Sequence, residues 1–130
     1  MEIRIIRGDT LDLRFCRKDK NGVIKEKPDD LIFAVKKGAQ KKEYLFQKRL
    51  DDGITYNEEN NYYYFTIESK DTENLKTGTC VFNIKVISGN KVKTICAGKF
   101  IITDEVAYME SVVWYGRIWN SGRTWNGNRR

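Results

Sequence analysis

The sequence predicts an all-β fold, a sandwich of antiparallel sheets with about seven strands, followed by an extended C-terminal arm. Three observations predict it. Apolar and polar residues alternate with period two along most of the first hundred positions, the pattern of strands with one face buried. Clusters of Gly, Asn and Asp break that pattern roughly every 8 to 12 residues, the turn spacing of a sandwich. No regular alternation of strand and helix patterns supports a parallel α/β sheet. The composition changes near Val106, which divides the chain into a β domain over 1–106 and a Trp/Arg/Gly-rich arm over 107–130.

The chain is organised around the stretch from Asp71 to Thr103. It opens with a polar corner, Asp71-Thr72-Glu73-Asn74-Leu75, closed by Gly78. A strand from Thr79 to Ser88 places Cys80, Phe82, Ile84 and Val86 on one face. Gly89-Asn90 supplies a tight turn, because both residue types tolerate positive φ. The return strand, Lys91 to about Thr103, places Val92, Cys96, Phe100 and Ile102 on a shared face, with Thr94 and Gly98 between them. Together these form the central hairpin.

The other elements follow from the same rules. Ile3 and Ile5 open the chain, and Arg7-Gly8-Asp9-Thr10 precedes a strand in which Leu11, Leu13 and Phe15 alternate with Asp12, Arg14 and Cys16. Arg7-Gly8-Asp9 is also the tripeptide of cell-adhesion ligands, but Gly-Asp before a strand is ordinary turn chemistry. Asn21-Gly22 marks a hairpin turn, with Val23-Ile24 as a short strand after it. Leu31 to Lys37 is a strand with Leu31, Phe33 and Val35 on one side, and Gly38 to Lys42 a charged, solvated loop. Glu43 to Leu50 reads as a strand rather than a short helix, since the turn Asp51-Asp52-Gly53 follows at once; Tyr44, Phe46 and Leu50 would share a face. After short Ile54-Thr55-Tyr56 and the loop Asn57 to Asn61, Tyr62 to Glu68 is dense in aromatic and β-branched residues, hence a strand. Ser69 to Lys76 forms a single helical turn, with Ser69 or Asp71 as its cap and Leu75 plugging the end of the core.

Size and composition set limits on function. The 130 residues suit one domain, and a chain of this length buries roughly two-thirds of its unfolded surface without staples. No long apolar run predicts a membrane span. The alternating, charged start does not resemble a secretory signal, so the chain is expected in the cytoplasm where it is made. Cys16, Cys80 and Cys96 are widely spaced and odd in number, so they read as small apolar fillers, not as a disulfide framework or a metal site. A Cys80–Cys96 bond is disfavoured, because a hairpin turning at Gly89-Asn90 does not set those two opposite each other. The chain has no His, which removes the commonest general base. The acid pairs Asp29-Asp30, Asp51-Asp52 and Asp104-Glu105 all fall at predicted turns, so no catalytic residue, cofactor or metal ligand is predicted.

Charge is unevenly spread. The net charge is +6, yet from Ser111 onward there are four arginines and no acids, leaving 20 basic and 18 acidic residues before it. A balanced body argues against a broad nucleic-acid-binding face. The cationic arm holds a small repeat of period six, Gly116-Arg117-Ile118-Trp119-Asn120 and Gly122-Arg123-Thr124-Trp125-Asn126. In an extended chain an even period puts Arg117, Trp119, Arg123 and Trp125 on one side. The predicted partner-binding residues are Trp114, Tyr115, Arg117, Trp119, Arg123 and Trp125. Three readings stand for them. The arm docks on a neighbouring subunit, since Trp and Arg dominate interface energetics. Alternatively it folds back on its own sandwich, or Trp rings stack on the bases of single-stranded nucleic acid while Arg meets phosphate. A carbohydrate-binding module using the Tyr62–Tyr64 cluster or the Trp cluster is a weaker alternative.

Several phrases carry a resemblance: Ile6-Arg7-Gly8-Asp9-Thr10 and the strand after it, Tyr44-Leu45-Phe46-Gln47-Lys48, Asp71-Thr72-Glu73-Asn74-Leu75-Lys76-Thr77-Gly78, Val81-Phe82-Asn83-Ile84 and Gly98-Lys99-Phe100-Ile101-Ile102. Over roughly residues 3 to 104 the chain resembles the N-terminal, immunoglobulin-like domain of baseplate upper proteins, found among tail-associated proteins of phages and prophages of Gram-positive bacteria. The resemblance implies an immunoglobulin-like sandwich, a non-enzymatic structural role in the virion, and other virion structural proteins and copies of itself as partners. The B–F disulfide and core Trp of antibody domains are absent. The chain also departs from the pattern in having no long coiled stalk or receptor-binding head after the sandwich.

Overall fold

The computed structural model describes residues 1–104; residues 105–130, which include the whole of the arm, lie outside the described residues. Ten strands are described: β1 (Glu2–Ile6), β2 (Leu11–Cys16), β3 (Lys18–Asp19), β4 (Gly22–Val23), β5 (Asp30–Lys36), β6 (Phe46–Leu50), β7 (Gly53–Asn57), β8 (Tyr62–Ile67), β9 (Gly78–Ser88) and β10 (Lys91–Thr103). A single helical turn, α1 (Ser69–Thr72), joins β8 to β9. The fold is all-β, as the alternation predicts.

The strands are not divided into two separate antiparallel sheets. Eight of them form one mixed sheet in the order β1-β10-β9-β5-β6-β7-β8-β2, and β3-β4 make a small ribbon apart from it. Two pairings are parallel, β1 with β10 and β6 with β7. Both arise where the chain changes layer instead of reversing as a hairpin. At the first, Gly8 takes φ 87° and the Asp9 N–H donates to Ile6 O at 2.9 Å. At the second, Asp51 and Gly53 take φ 62° and 110°, and the Asp51 N–H donates to Ile54 O at 2.8 Å. The sheet therefore curls into a near-barrel, with β5, β9 and β10 on one wall and β7, β8 and β2 on the other. Phe33 of β5 and Phe65 of β8 meet across the interior with ring centroids 4.7 Å apart.

The interior is filled as period two dictates. Leu31, Phe33, Val35, Ile54, Tyr63, Ile67 and Phe100 have no exposed surface. Burying each such side chain is worth about 1.5–3 kcal/mol relative to leaving it in water. Of the three consecutive tyrosines, only Tyr63 turns inward; Tyr62 and Tyr64 lie on the outer face.

The central hairpin forms as expected, with one change of face. A β-bulge between Thr94 and Cys96 shifts the register of β10 against β9. One extra residue in a period-two pattern exchanges the faces. Cys96, Phe100 and Ile102 stay opposite inward residues of β9, whereas Val92 stands opposite Ile87 and is 62% exposed. Val92 therefore does not share their face. Cys80 pairs with Phe100 and Cys96 with Ile84, so the two thiols are not opposite one another, and all three cysteines are free.

Three local expectations shift. The ribbon turn is centred on Lys20-Asn21, with Gly22 at φ 110° already in β4. The strand expected from Glu43 starts at Phe46, leaving Tyr44 and Leu45 exposed in the loop. The cap of α1 is Glu68, neither Ser69 nor Asp71; Asp71 sits one turn in and accepts the Glu68 N–H at 2.7 Å. Leu75 packs against the core as predicted.

Candidate functional site

The sequence-predicted partner residues Trp114, Tyr115, Arg117, Trp119, Arg123 and Trp125 lie outside the described residues. The described residues do fix where the arm departs. The Arg7 N–H donates to Thr103 O at 2.8 Å. Its guanidinium donates to Leu75 O at 3.3 Å and meets the Asp104 carboxylate at 3.4 Å. The Gly8 N–H donates to Thr72 Oγ1 at 2.9 Å. Arg7-Gly8-Asp9 thus works as a clasp joining the β1–β2 turn, the α1 corner and the end of β10.

From this clasp β2 runs up one side of the near-barrel as the last strand of the sheet. One edge pairs with β8, and the other has no strand beside it among the described residues. Its inward residues Leu11, Leu13 and Phe15 are only half-buried. A six-residue edge with an apolar side is a template for pairing with another strand.

The outer face next to this edge is polar and aromatic. Asp12 accepts the Thr66 hydroxyl at 2.6 Å. The Arg14 guanidinium lies 5.1 Å from the centre of the Tyr62 ring, a cation–π contact. Tyr62 and Tyr64 stand side by side, 6.3 Å between centroids, and Asn60 donates to the Tyr64 hydroxyl at 2.7 Å. A groove of about 470 Å³ opens here, bounded by Asp12, Thr55, Tyr64, Thr66 and Glu68, with Lys48 and Gly53 at its base. Lys48 does not leave a free cation in it: its ammonium meets Asp71 at 2.7 Å, and both side chains are 11% exposed. At the rim Glu68 pairs with exposed Lys70 at 3.3 Å. A groove of carboxylates, hydroxyls and a tyrosine face is suited to a cationic, aromatic ligand.

A second hollow, of about 490 Å³, lies at the other end of the barrel between Lys25, Lys27, Tyr56, Glu58, Glu59 and Asn61. The Tyr56 hydroxyl donates to Asn61 Oδ1 at 2.8 Å, and burial pushes its pKa up. This hollow holds the ribbon-bearing β2–β5 connection against the β7–β8 loop.

At least one member of each acid pair noted in the sequence has a partner. Asp29 accepts the Gly89 N–H, Asp51 meets Lys27 at 3.3 Å and Asp104 meets Arg7. Asp30 bonds Arg49, and that hydrogen bond holds its carboxyl below the ordinary value of 3.8. Burial pushes the Cys80 thiol up, which keeps it protonated and unreactive at neutral pH. Among the described residues no helix is long and apolar enough to cross a membrane.

Sequence reasoning did not find the β2 edge or the groove. Two signals were available: Lys48 shares parity with Phe46 and Leu50, which marks a cation turned inward, and Asp12, Arg14, Tyr62 and Tyr64 all fall on polar-face positions. Compared with known proteins, the chain matches no family model and no curated relative.

Proposed function

We propose that the chain is a non-enzymatic structural subunit of a phage virion, placed at the tail, baseplate or capsid surface. It assembles with other virion proteins and with copies of itself through its β body and its C-terminal arm. The observation that carries this is strand order. Opened between β6 and β7, the sheet reads β10-β9-β5-β6 on one side and β7-β8-β2 on the other. That order supports reading the strands as G-F-C-C′ and D-E-B of an immunoglobulin-like sandwich, with no C″ strand among the described residues, the fold implied by the resemblance to baseplate upper proteins. Further support comes from the arm's composition and from the clasp that ties its departure point to the body.

Deletion of residues 107–130 tests the proposal. The shortened chain keeps its β-rich circular dichroism and cooperative unfolding, and loses self-association and incorporation into particles. Unchanged assembly of the shortened chain would overturn it. A salt titration with single-stranded DNA separates the nucleic-acid alternative: the full chain gives no binding at low salt, where counterion release favours it most.

A further inference from the structure

We infer that the open edge of β2, with the groove beside it, is the docking site for residues 112–119 of a second copy of this chain, added as an extended strand. This rests on the proposal above that the arm mediates assembly, and it names the surface the arm meets.

The edge supplies the backbone partner. Leu11–Cys16 pairs with β8 on one side only among the described residues. Its three inward side chains Leu11, Leu13 and Phe15 are all left half-buried, whereas the inward residues Leu31, Phe33 and Val35 of β5 are fully closed. An added strand satisfies the free backbone groups and covers Leu11, Leu13 and Phe15.

The arm supplies a matching strand. Residues 112–119 read Val-Val-Trp-Tyr-Gly-Arg-Ile-Trp, rich in β-branched and aromatic types. Alternation places Val112, Trp114 and Ile118 on one side and Tyr115, Arg117 and Trp119 on the other. The first set is wholly apolar and suits the inward side, over Leu13 and Phe15. The second then falls on the outer face, where Asp12 and Glu68 offer carboxylates and Tyr64 a ring. Arg14 on the Tyr62 ring already shows that this surface holds a guanidinium against a tyrosine.

Charge directs the arm to this wall. The outer side of the opposite wall carries Lys36, Lys85 and Lys99, which repel an arm whose charged residues from Ser111 onward are all arginines. The linker is long enough: residues 105–111 span roughly 23 Å when extended, about the length of β2. Asp104 is held beside Arg7, at the end where β2 begins. From there an arm laid directly on its own β2 runs parallel, whereas exchange between two copies allows antiparallel pairing, the more stable of the two. A two-fold pair satisfies both edges at once.

All three tryptophans of the chain, Trp114, Trp119 and Trp125, lie in the arm, so tryptophan emission reports the arm alone. In the full-length protein, emission shifts to the blue as concentration rises, in step with a dimer mass by sedimentation. Asp12→Lys and Arg117→Glu each weaken self-association about tenfold or more, and the two together restore it. Circular dichroism and the urea midpoint of each variant separate a loss of docking from a loss of fold. A blue-shifted emission at monomer mass and independent of concentration would place the strand on its own β2 and overturn the exchange. Assembly that persists unchanged in both variants would overturn the docking site while leaving the structural role standing. Red, solvent-exposed emission with no assembly at any concentration would overturn both.

Discussion

Lys48 and Asp71 meet at 2.7 Å beneath the groove, a charged pair that links the middle of β6 to the α1 corner. Asp71 also accepts the Glu68 N–H at 2.7 Å, so one carboxylate completes the capping box of α1 and neutralises an inward lysine. Removing one member of a buried pair leaves an uncompensated charge, which costs about 3–5 kcal/mol. Asp71→Ala therefore destabilises the domain by roughly that amount. Lys48→Met likewise leaves the Asp71 carboxylate without its cation, and costs somewhat less, because the Glu68 N–H still donates to that carboxylate and the methionine keeps the inward packing of the lysine stem. In the double variant most of the Asp71→Ala loss is recovered. Urea denaturation of the three variants measures the coupling.

Gly98 has the N-terminal strand lying directly against it. A Cβ there would stand 2.2 Å from Met1 O and 3.0 Å from the Phe82 ring, and the Lys99 N–H donates to the same Met1 carbonyl at 3.0 Å. Gly98→Ala forces the start of β1 away from β10 and lowers stability by about 1–3 kcal/mol. Faster amide exchange at Lys99, with β9 unaffected, is the accompanying signature.

Tyr63 is fully buried between Phe15, at 5.0 Å, and Tyr56, at 4.7 Å. Its hydroxyl has no hydrogen-bond partner among the described residues. A buried hydroxyl left unpaired is a net cost, so Tyr63→Phe keeps the stacking and raises stability by about 1 kcal/mol. Thermal unfolding of the variant shows a midpoint a few degrees higher.

Asp30 gives the fold a defined acid sensitivity. Its carboxyl is held below 3.8 in the folded chain, chiefly by the hydrogen bond from Arg49. A depressed folded pKa contributes stability that is complete above the unfolded value and lost as pH falls through the folded one. Urea midpoints measured from pH 6 down to pH 3 decline less steeply for Asp30→Asn than for the parent chain.

Most strands were legible because parity is a local property. Leu31, Phe33 and Val35 announce their buried face without reference to any neighbour, as do Cys80, Phe82, Ile84 and Val86. Parity does not say which strand lies alongside, so the parallel partners of β1 and β7 stayed hidden. The layer changes at Gly8 and Asp51-Gly53 look in sequence like ordinary turns. The bulge beside Ile95 was equally invisible: nothing in Lys93-Thr94-Ile95-Cys96 announces an extra residue, yet it carries Val92 to the opposite face. The groove was missed for a related reason. It is assembled from β2, β6, β7 and β8, and no single stretch holds enough of it to be noticed.

The placement of β10 has a mechanical consequence. It is flanked along its length by β9 and, over its last residues, by β1 running in the same direction, and the arm continues from its end. A pull on the arm along the strand axis loads two hydrogen-bonded ladders in shear, where many bonds resist together and none is peeled first. The Arg7 clasp shares that force with the α1 corner. Tension on the arm would thus enter the most extensively paired strand of the domain, and the short seam between β6 and β7, paired at only two positions, would lie off the line of load.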